Sequence, residues 1–202
     1  MSLADYTGVK AALGDWLHRA DITTQADDFI DLFESEFNAT MRVRQMEQQT
    51  TIASTTGYLT HPSNWLGWKG IKATTGGNDY YLQPVTDETA IRETFALTGE
   101  PMYYKVTDSK TFIYPNPGSG VNFKTIYHEG VALSSGTNWL LTAYPGAYLY
   151  GGLLQAHGYT ENDERIALWS QAYDAIKASI RSDSRRAEWS GQVLQMKPDS
   201  WQ

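Results

Sequence analysis

The residues best suited to acid–base or metal chemistry are histidines that stand far apart. His18, His61, His128 and His157 are not at a metal-ligand spacing from one another or from a carboxylate. His128 begins a His-Glu-Gly sequence, as in zinc proteases, but no second histidine follows four residues later. His157 falls in an apolar segment, where a hydrogen-bonded core histidine is more common than a base. The histidines therefore predict no metal centre and no general base.

Carboxylates cluster along one predicted helix: Asp27, Asp28, Asp31, Glu34 and Glu36. A close pair of carboxylates can transfer protons. Most of these lie off the apolar stripe of the helix, however, which favours a solvated acidic face.

Known catalytic patterns are otherwise absent. The glycine-rich segment Thr74–Asp79 lacks the lysine and following helix of a phosphate loop and predicts a turn. The chain has no cysteine, which excludes thiolate catalysis, thiolate metal sites and disulfides. We expect no catalytic residue, no metal and no cofactor, and hence a function other than catalysis.

The charge distribution narrows the possible partners. A net charge of −7 argues against nucleic-acid binding through a basic face. Arg181, Arg185 and Arg186 nevertheless form a basic cluster near the end of the last predicted helix. This cluster has two interpretations: it complements the helix dipole, or it anchors the protein to an acidic partner surface.

Apolar periodicity predicts four main helices, which are Asp5–Arg19, Thr24–Met46, Pro145–His157 and Asn162–Ser182. Between the second and third, short β-like runs alternate with turns, and Val121, Phe123, Thr125 and Tyr127 show the spacing of a half-buried strand. A hairpin is predicted to turn at Asp108 and Ser109, and a short helix over residues 86–97.

These elements predict an α+β fold: a bundle of four main helices with a β-rich insertion between the second and third. The expected organisation is a helical bundle from residues 1–47 and 132–186, a β-rich insertion at 48–131 and a C-terminal tail at 187–202. The N-terminus does not resemble a signal peptide, and no segment predicts a membrane span. We therefore expect a soluble protein made in the cytoplasm.

Several ordered motifs resemble the head-to-tail adaptor proteins of tailed bacteriophages. The second half contains Leu-Ser, Thr-Asn-Trp-Leu-Leu, Tyr-Pro, an apolar helix, Asp-Glu-Arg and a Trp-x-x-x-Tyr helix, all within Leu133–Tyr173. In the first half, Phe29–Met46 resembles a family helix that runs into Met-Arg and Met-Glu. His61 and Trp65 depart from the leucine and phenylalanine common at these positions, which concerns packing only. The similarity covers most of the chain.

The resemblance implies a structural protein of the virion, made in the bacterial host and located at the portal vertex. About twelve copies would form a homo-oligomeric ring under the portal protein, with different patches meeting between neighbours. The ring would bridge capsid and tail, present a platform for the next connector or tail protein, and continue the DNA channel without binding DNA specifically. The high content of tyrosine and tryptophan, 13 and 7 residues, suits such protein interfaces.

The C-terminal tail is a candidate portal-binding segment. Its apolar residues show no helical period and include a short run that could add as a strand to another chain. The predicted portal-binding residues are Arg181, Arg185, Arg186, Trp189, Val193, Leu194, Met196 and Trp201. The alternative is a tail that folds back on its own helices.

Two other functions remain open from the residues alone. Aromatic side chains of the β-rich region, Trp65, Trp68, Tyr80 and Tyr81, could stack on the sugar rings of a glycan or bind another protein. An enzyme that uses Asp or Glu is the weaker alternative, because the carboxylates are scattered over exposed helix faces.

Overall fold

The computed structural model describes residues 3–19, 21, 22, 24–75, 78–87, 99–133, 136–159 and 164–189. These residues belong to two compact units. The first contains the chain up to Gln45 and from Leu133 onward, and the second is Met46–Ala132.

The first unit is helical. Its α-helices are α1 (Tyr6–Leu17), α2 (Gln25–Thr40), α3 (Trp139–Ala143), α4 (Pro145–Gln155) and α5 (Ile166–Trp189), and 3-10 turns span Arg44–Met46 at the unit boundary and Ala156–Gly158. Local signals start three of them. Asp5 caps α1 by accepting from the Gly8 N–H, Asn138 caps α3 by accepting from the Leu141 N–H, and Pro145 occupies the first turn of α4.

Helix α4 packs against α1, α2 and α5. Two glycines in α4 permit this approach, because a Cβ at Gly151 would overlap Phe33 of α2 and a Cβ at Gly152 would crowd Leu13 of α1. The core of the unit includes six large side chains from α2, α4 and α5, all of which are buried: Phe29, Phe33, Leu149, Leu153, Trp169 and Tyr173.

The second unit consists of two four-stranded sheets. Its strands are β1 (Glu47–Ala53), β2 (Tyr58–Thr60), β3 (Trp65–Thr75), β4 (Asn78–Tyr81), β5 (Gln83–Pro84), β6 (Tyr103–Val106), β7 (Lys110–Tyr114) and β8 (Asn122–Glu129). One sheet has the order β1-β8-β3-β4 and the other β2-β7-β6-β5, in which β5 pairs with β6 in parallel. Both sheets contribute to one core, formed by Leu59, Ile71, Ala73, Leu82, Tyr104, Ile113 and Phe123.

The strand predictions with a clear local signal are confirmed. Strands β6 and β7 form the expected antiparallel hairpin across Asp108 and Ser109. Strand β8 buries Phe123, Thr125 and Tyr127 and exposes Lys124 between them, as period-two spacing predicts. Val121, the first residue of the predicted alternation, precedes the strand and is exposed. The helix predicted over residues 86–97 lies largely outside the described residues.

The predicted fold, one bundle of four main helices with a β-rich insertion, is wrong. The described residues contain five α-helices and two complete four-stranded sheets with strands between the helical segments. The prediction missed α3, which is too short to show a period. It also carried α2 to Met46, whereas α2 ends at Thr40 and Met41 is extended. Met41, Val43 and Met46 are apolar and buried. In the sequence they therefore look like a continuation of the apolar stripe of α2, although the backbone is no longer α-helical there.

Candidate partner-binding surface

The C-terminal half of α5 presents a basic and aromatic row to solvent. Trp169, Tyr173, Ile180 and Ser184 form the buried side of this helix. On another side, Arg181, Arg185 and Trp189 are exposed at four-residue spacing, and Trp189 is 68% exposed. Since the helix continues to Trp189, beyond its predicted end at Ser182, these three side chains share one rigid element.

Arg186 belongs to a different side of the same helix. Its guanidinium lies 3.6 Å from the Asp183 carboxylate, and its side chain is 78% exposed. The Tyr144 hydroxyl also donates to Asp183, which raises the pKa of Tyr144. An exposed pair of this kind contributes little to stability, so Arg186 remains available to a partner.

Arg42 and Arg44 extend the basic character of this end of the first unit. The Arg44 backbone N–H donates to the Ser184 hydroxyl at 3.0 Å, which places Arg44 beside the arginines of α5. Arg42 donates to the carbonyls of Asn38 and Met41 and so satisfies the C-terminus of α2. Both arginines fall within the helix predicted over Thr24–Met46, and nothing in the sequence signals the contact between Arg44 and Ser184, which lie 140 positions apart.

Helix α2 presents an acidic row near its N-terminus. Asp28, Asp31 and Leu32 are exposed, and Leu32 is 53% exposed. Neighbouring carboxylates are already engaged, since Asp27 pairs with Lys10 and accepts from the Tyr6 hydroxyl. The solvated acidic face expected from the sequence is therefore present, but Glu34 is not part of it.

Glu34 is instead buried in a polar network between helices. The Asn138 amide donates to the Tyr148 hydroxyl at 2.6 Å, and this hydroxyl donates to the Glu34 carboxylate at 2.7 Å. Burial raises the pKa of Glu34 and also the pKa of Tyr148, whose ionisation the nearby carboxylate further opposes. Each member bonds to another element of the first unit, so the network fixes the packing of α2, α3 and α4.

The histidines do not converge. His61 stacks on Trp65 with ring centroids 3.8 Å apart, and His128 lies 4.0 Å from Glu47. His157 is exposed and bonds through Nδ1 to the Leu154 carbonyl, so its expected place in the core is wrong. Among the described residues, no group of three or more His, Asp or Glu side chains is arranged to hold a metal ion.

The aromatic residues proposed for glycan stacking are not one platform. Trp65 and Trp68 pack against each other and His61 and are partly buried, and the Trp68 indole donates to Thr111. Tyr80 is also partly buried and donates to the Pro101 carbonyl, whereas Tyr81 is 58% exposed. Three of the four rings therefore serve packing within the second unit.

The helices of the first unit thus present exposed charged and aromatic side chains, without a group of side chains among the described residues arranged to hold a metal ion. The family model of the SU10 adaptor protein matches residues 4–196, and the chain belongs to this family of phage head-tail adaptors. The predicted family is thereby confirmed. Membership supports a structural, non-enzymatic role in the virion and contact with other virion proteins. No curated protein matches the chain.

No described helix has the length and apolar character required to cross a membrane. Of the residues predicted to bind the portal, Arg181, Arg185, Arg186 and Trp189 lie in α5. The others, Val193, Leu194, Met196 and Trp201, lie outside the described residues.

Proposed function

We propose that the protein forms a ring under the portal at one capsid vertex, bridges capsid and tail, and continues the DNA channel. The observation that carries this proposal is the adaptor-family match over nearly the whole chain. About twelve copies would close a cyclic assembly in which one patch meets a different patch on the next copy. The separate basic and acidic rows of the first unit supply two such unlike patches.

The charge balance suits a channel wall. DNA binds tightly where lysine and arginine neutralise its phosphates, and the net charge here is −7. A predominantly acidic wall would repel the phosphate backbone and let DNA slide through.

We place the portal contact in the segment that follows α5, together with Arg186 at its base. This segment contains Val193, Leu194, Met196 and Trp201, and its run Val-Leu-Gln-Met has the character of a strand that adds to another chain. Pro198 lacks an N–H and limits how far such pairing extends.

The ring is tested by measuring the mass of the purified protein mixed with its portal protein. We expect a discrete complex of about twelve copies per portal ring. Virions assembled without the protein should lack attached tails and leak DNA, and normal tailed particles without it would refute the proposal.

The portal contact is tested by truncating the chain after Trp189, which leaves α5 intact. We expect the truncated chain to keep its thermal midpoint and to lose portal binding. If portal binding survives while the midpoint falls, the segment belongs to the subunit's own core.

A further inference from the structure

Two exposed rows on the helices of the first unit are complementary. We propose that the row Arg181–Arg185–Trp189 on α5 of one copy packs against the row of Asp28, Asp31 and Leu32 on α2 of the neighbouring copy. This inference rests on the proposed ring and names the contact that closes it.

The charges of the two rows are not neutralised by the described part of the chain. Arg181 and Arg185 form no ion pair among the described residues, and neither do Asp28 and Asp31. The other carboxylates of α2 are committed, because Asp27 pairs with Lys10, Glu36 lies 3.8 Å from Lys177 and Glu34 is buried. Each row therefore contains charged side chains that have no ion-pair partner among the described residues.

Each row also carries an exposed apolar side chain. Leu32 is 53% exposed and Trp189 68% exposed, although both lie on otherwise well-packed helices. Tryptophan and arginine are the residue types that contribute most to protein interfaces when they become buried. A contact that covers Trp189 with Leu32 and pairs the charges around them would remove both apolar side chains from water.

The spacing suits helix–helix packing. Arg181, Arg185 and Trp189 follow each other at four residues, and so do Asp28 and Leu32. Rows at this spacing are the ridges that interdigitate when two helices pack. The basic row from Arg181 to Trp189 spans about 12 Å of α5 and the acidic row from Asp28 to Leu32 about 6 Å of α2, so the acidic row can pack against about half of the basic row.

The signs of the charges favour head-to-tail contact. A two-fold dimer through either row would bring like charges together, arginine against arginine or aspartate against aspartate, which is unfavourable. Contact between unlike rows avoids this and leaves one free row at each end of a growing chain of subunits. Heterologous contacts of this kind generate a closed ring when the rotation from one subunit to the next closes.

In this assignment, Arg181, Arg185 and Trp189 contact the neighbouring subunit and not the portal. Arg186 points to another side of α5 and stays with the portal contact, together with the segment beyond Trp189.

Because the chain has no cysteine, site-directed cross-linking tests the contact directly. The full-length L32C/R185C variant is assembled with portal protein and treated with a short bismaleimide. We expect a ladder of covalent multimers above the dimer. L32C and R185C as single variants should give none, and a mixture of the two should give only dimers. The matched control is L32C/L168C, since Leu168 is another exposed position of α5, 65% exposed, and lies outside the basic row.

Charge reversal provides the second test. In the L32C/R185C chain, R181E should lower the cross-linked fraction roughly tenfold at low salt, because attraction becomes repulsion. Adding D28R to the same chain should restore the cross-linked fraction. Arg181 and Asp28 are both exposed, and unchanged thermal midpoints would show that the variants fold.

The possible failures are distinguishable. If the wild-type chain forms a ring-sized complex with the portal but L32C/R185C cross-links no better than L32C/L168C, the contact assigned here is wrong and the ring stands. A charge reversal without effect also overturns the contact and leaves the ring standing. If the wild-type chain does not assemble with the portal at any concentration, the ring is wrong and the contact falls with it.

Discussion

Replacing Gly151 by alanine tests the closest helix packing in the first unit. A Cβ at this position would lie 2.1 Å from Cδ2 and 2.4 Å from Cε2 of Phe33. Phe33 is fully buried, and its ring contacts the rings of Phe37, Tyr148 and Tyr173 at centroid distances of 5.9, 4.9 and 5.9 Å. The ring therefore cannot turn away without displacing other core residues.

The expected magnitude follows from two opposing effects. Overpacking of a well-packed core costs roughly 1–3 kcal/mol, and an overlap this deep belongs at the upper end of that range. Alanine regains about 1 kcal/mol over glycine in a helix interior. We therefore expect Gly151→Ala to lower the free energy of unfolding by roughly 1–2 kcal/mol, measured by urea denaturation of the full chain.

The matched control is Gly158→Ala. Nothing lies within 4 Å of a Cβ at Gly158, so its effect should stay within about 0.5 kcal/mol. In a Phe33→Leu background the cost of Gly151→Ala should shrink, with a coupling energy of roughly 0.5 kcal/mol or more. A Gly151→Ala variant as stable as the wild type would show that the α2–α4 contact is loose and would refute the reasoning.

Three further predictions concern stability. Trp169→Ala should cost roughly 3–5 kcal/mol in thermal or urea unfolding, because Trp169 is 1% exposed; a loss well below 1 kcal/mol would show that this burial contributes little. Burial raises the pKa of Glu34 above its ordinary 4.5, so the wild type loses the associated stability as the pH rises from about 4.5 through the raised pKa. The stability of Glu34→Gln relative to the wild type should therefore increase as the pH rises above about 4.5, and a pH-independent difference would contradict the assignment. Thr56 has φ 50° in the turn between β1 and β2, which is strained for a β-branched residue. Thr56→Asn should therefore raise the free energy of unfolding by roughly 1 kcal/mol in urea denaturation. A loss of stability would show that the threonine side chain has a role in this turn.

Elements with a strong local signal could be predicted from the sequence. Pro145 fixes the start of α4 because its ring presets the backbone of a first helical turn. Alternation around Phe123 and Thr125 predicts one buried side of β8, because successive side chains of a strand point to opposite faces. The ordered motifs from Leu133 to Tyr173 also sufficed to identify the adaptor family, which the match over residues 4–196 confirms.

What the sequence did not predict depends on contacts between distant residues. Helix α2 ends at Thr40 because the segment that follows it, with Met41 and Val43, is buried against other parts of the chain. The hydrogen bond from the Arg44 N–H to the Ser184 hydroxyl joins positions 140 residues apart. The burial of Glu34 likewise requires the Tyr148 hydroxyl and the Asn138 amide from later helices.

The division between sequence and structure has one physical reason. Backbone preferences and side-chain periodicity act within a few residues, so the sequence by itself determined most helices, the clear strands and the chemistry available to the surface. Which side chains lose their water is settled only when separate elements pack. The tertiary structure alone therefore decided that Glu34 is buried while Asp28 and Asp31 remain exposed, and that Arg181, Arg185 and Trp189 form one row on a continuous helix.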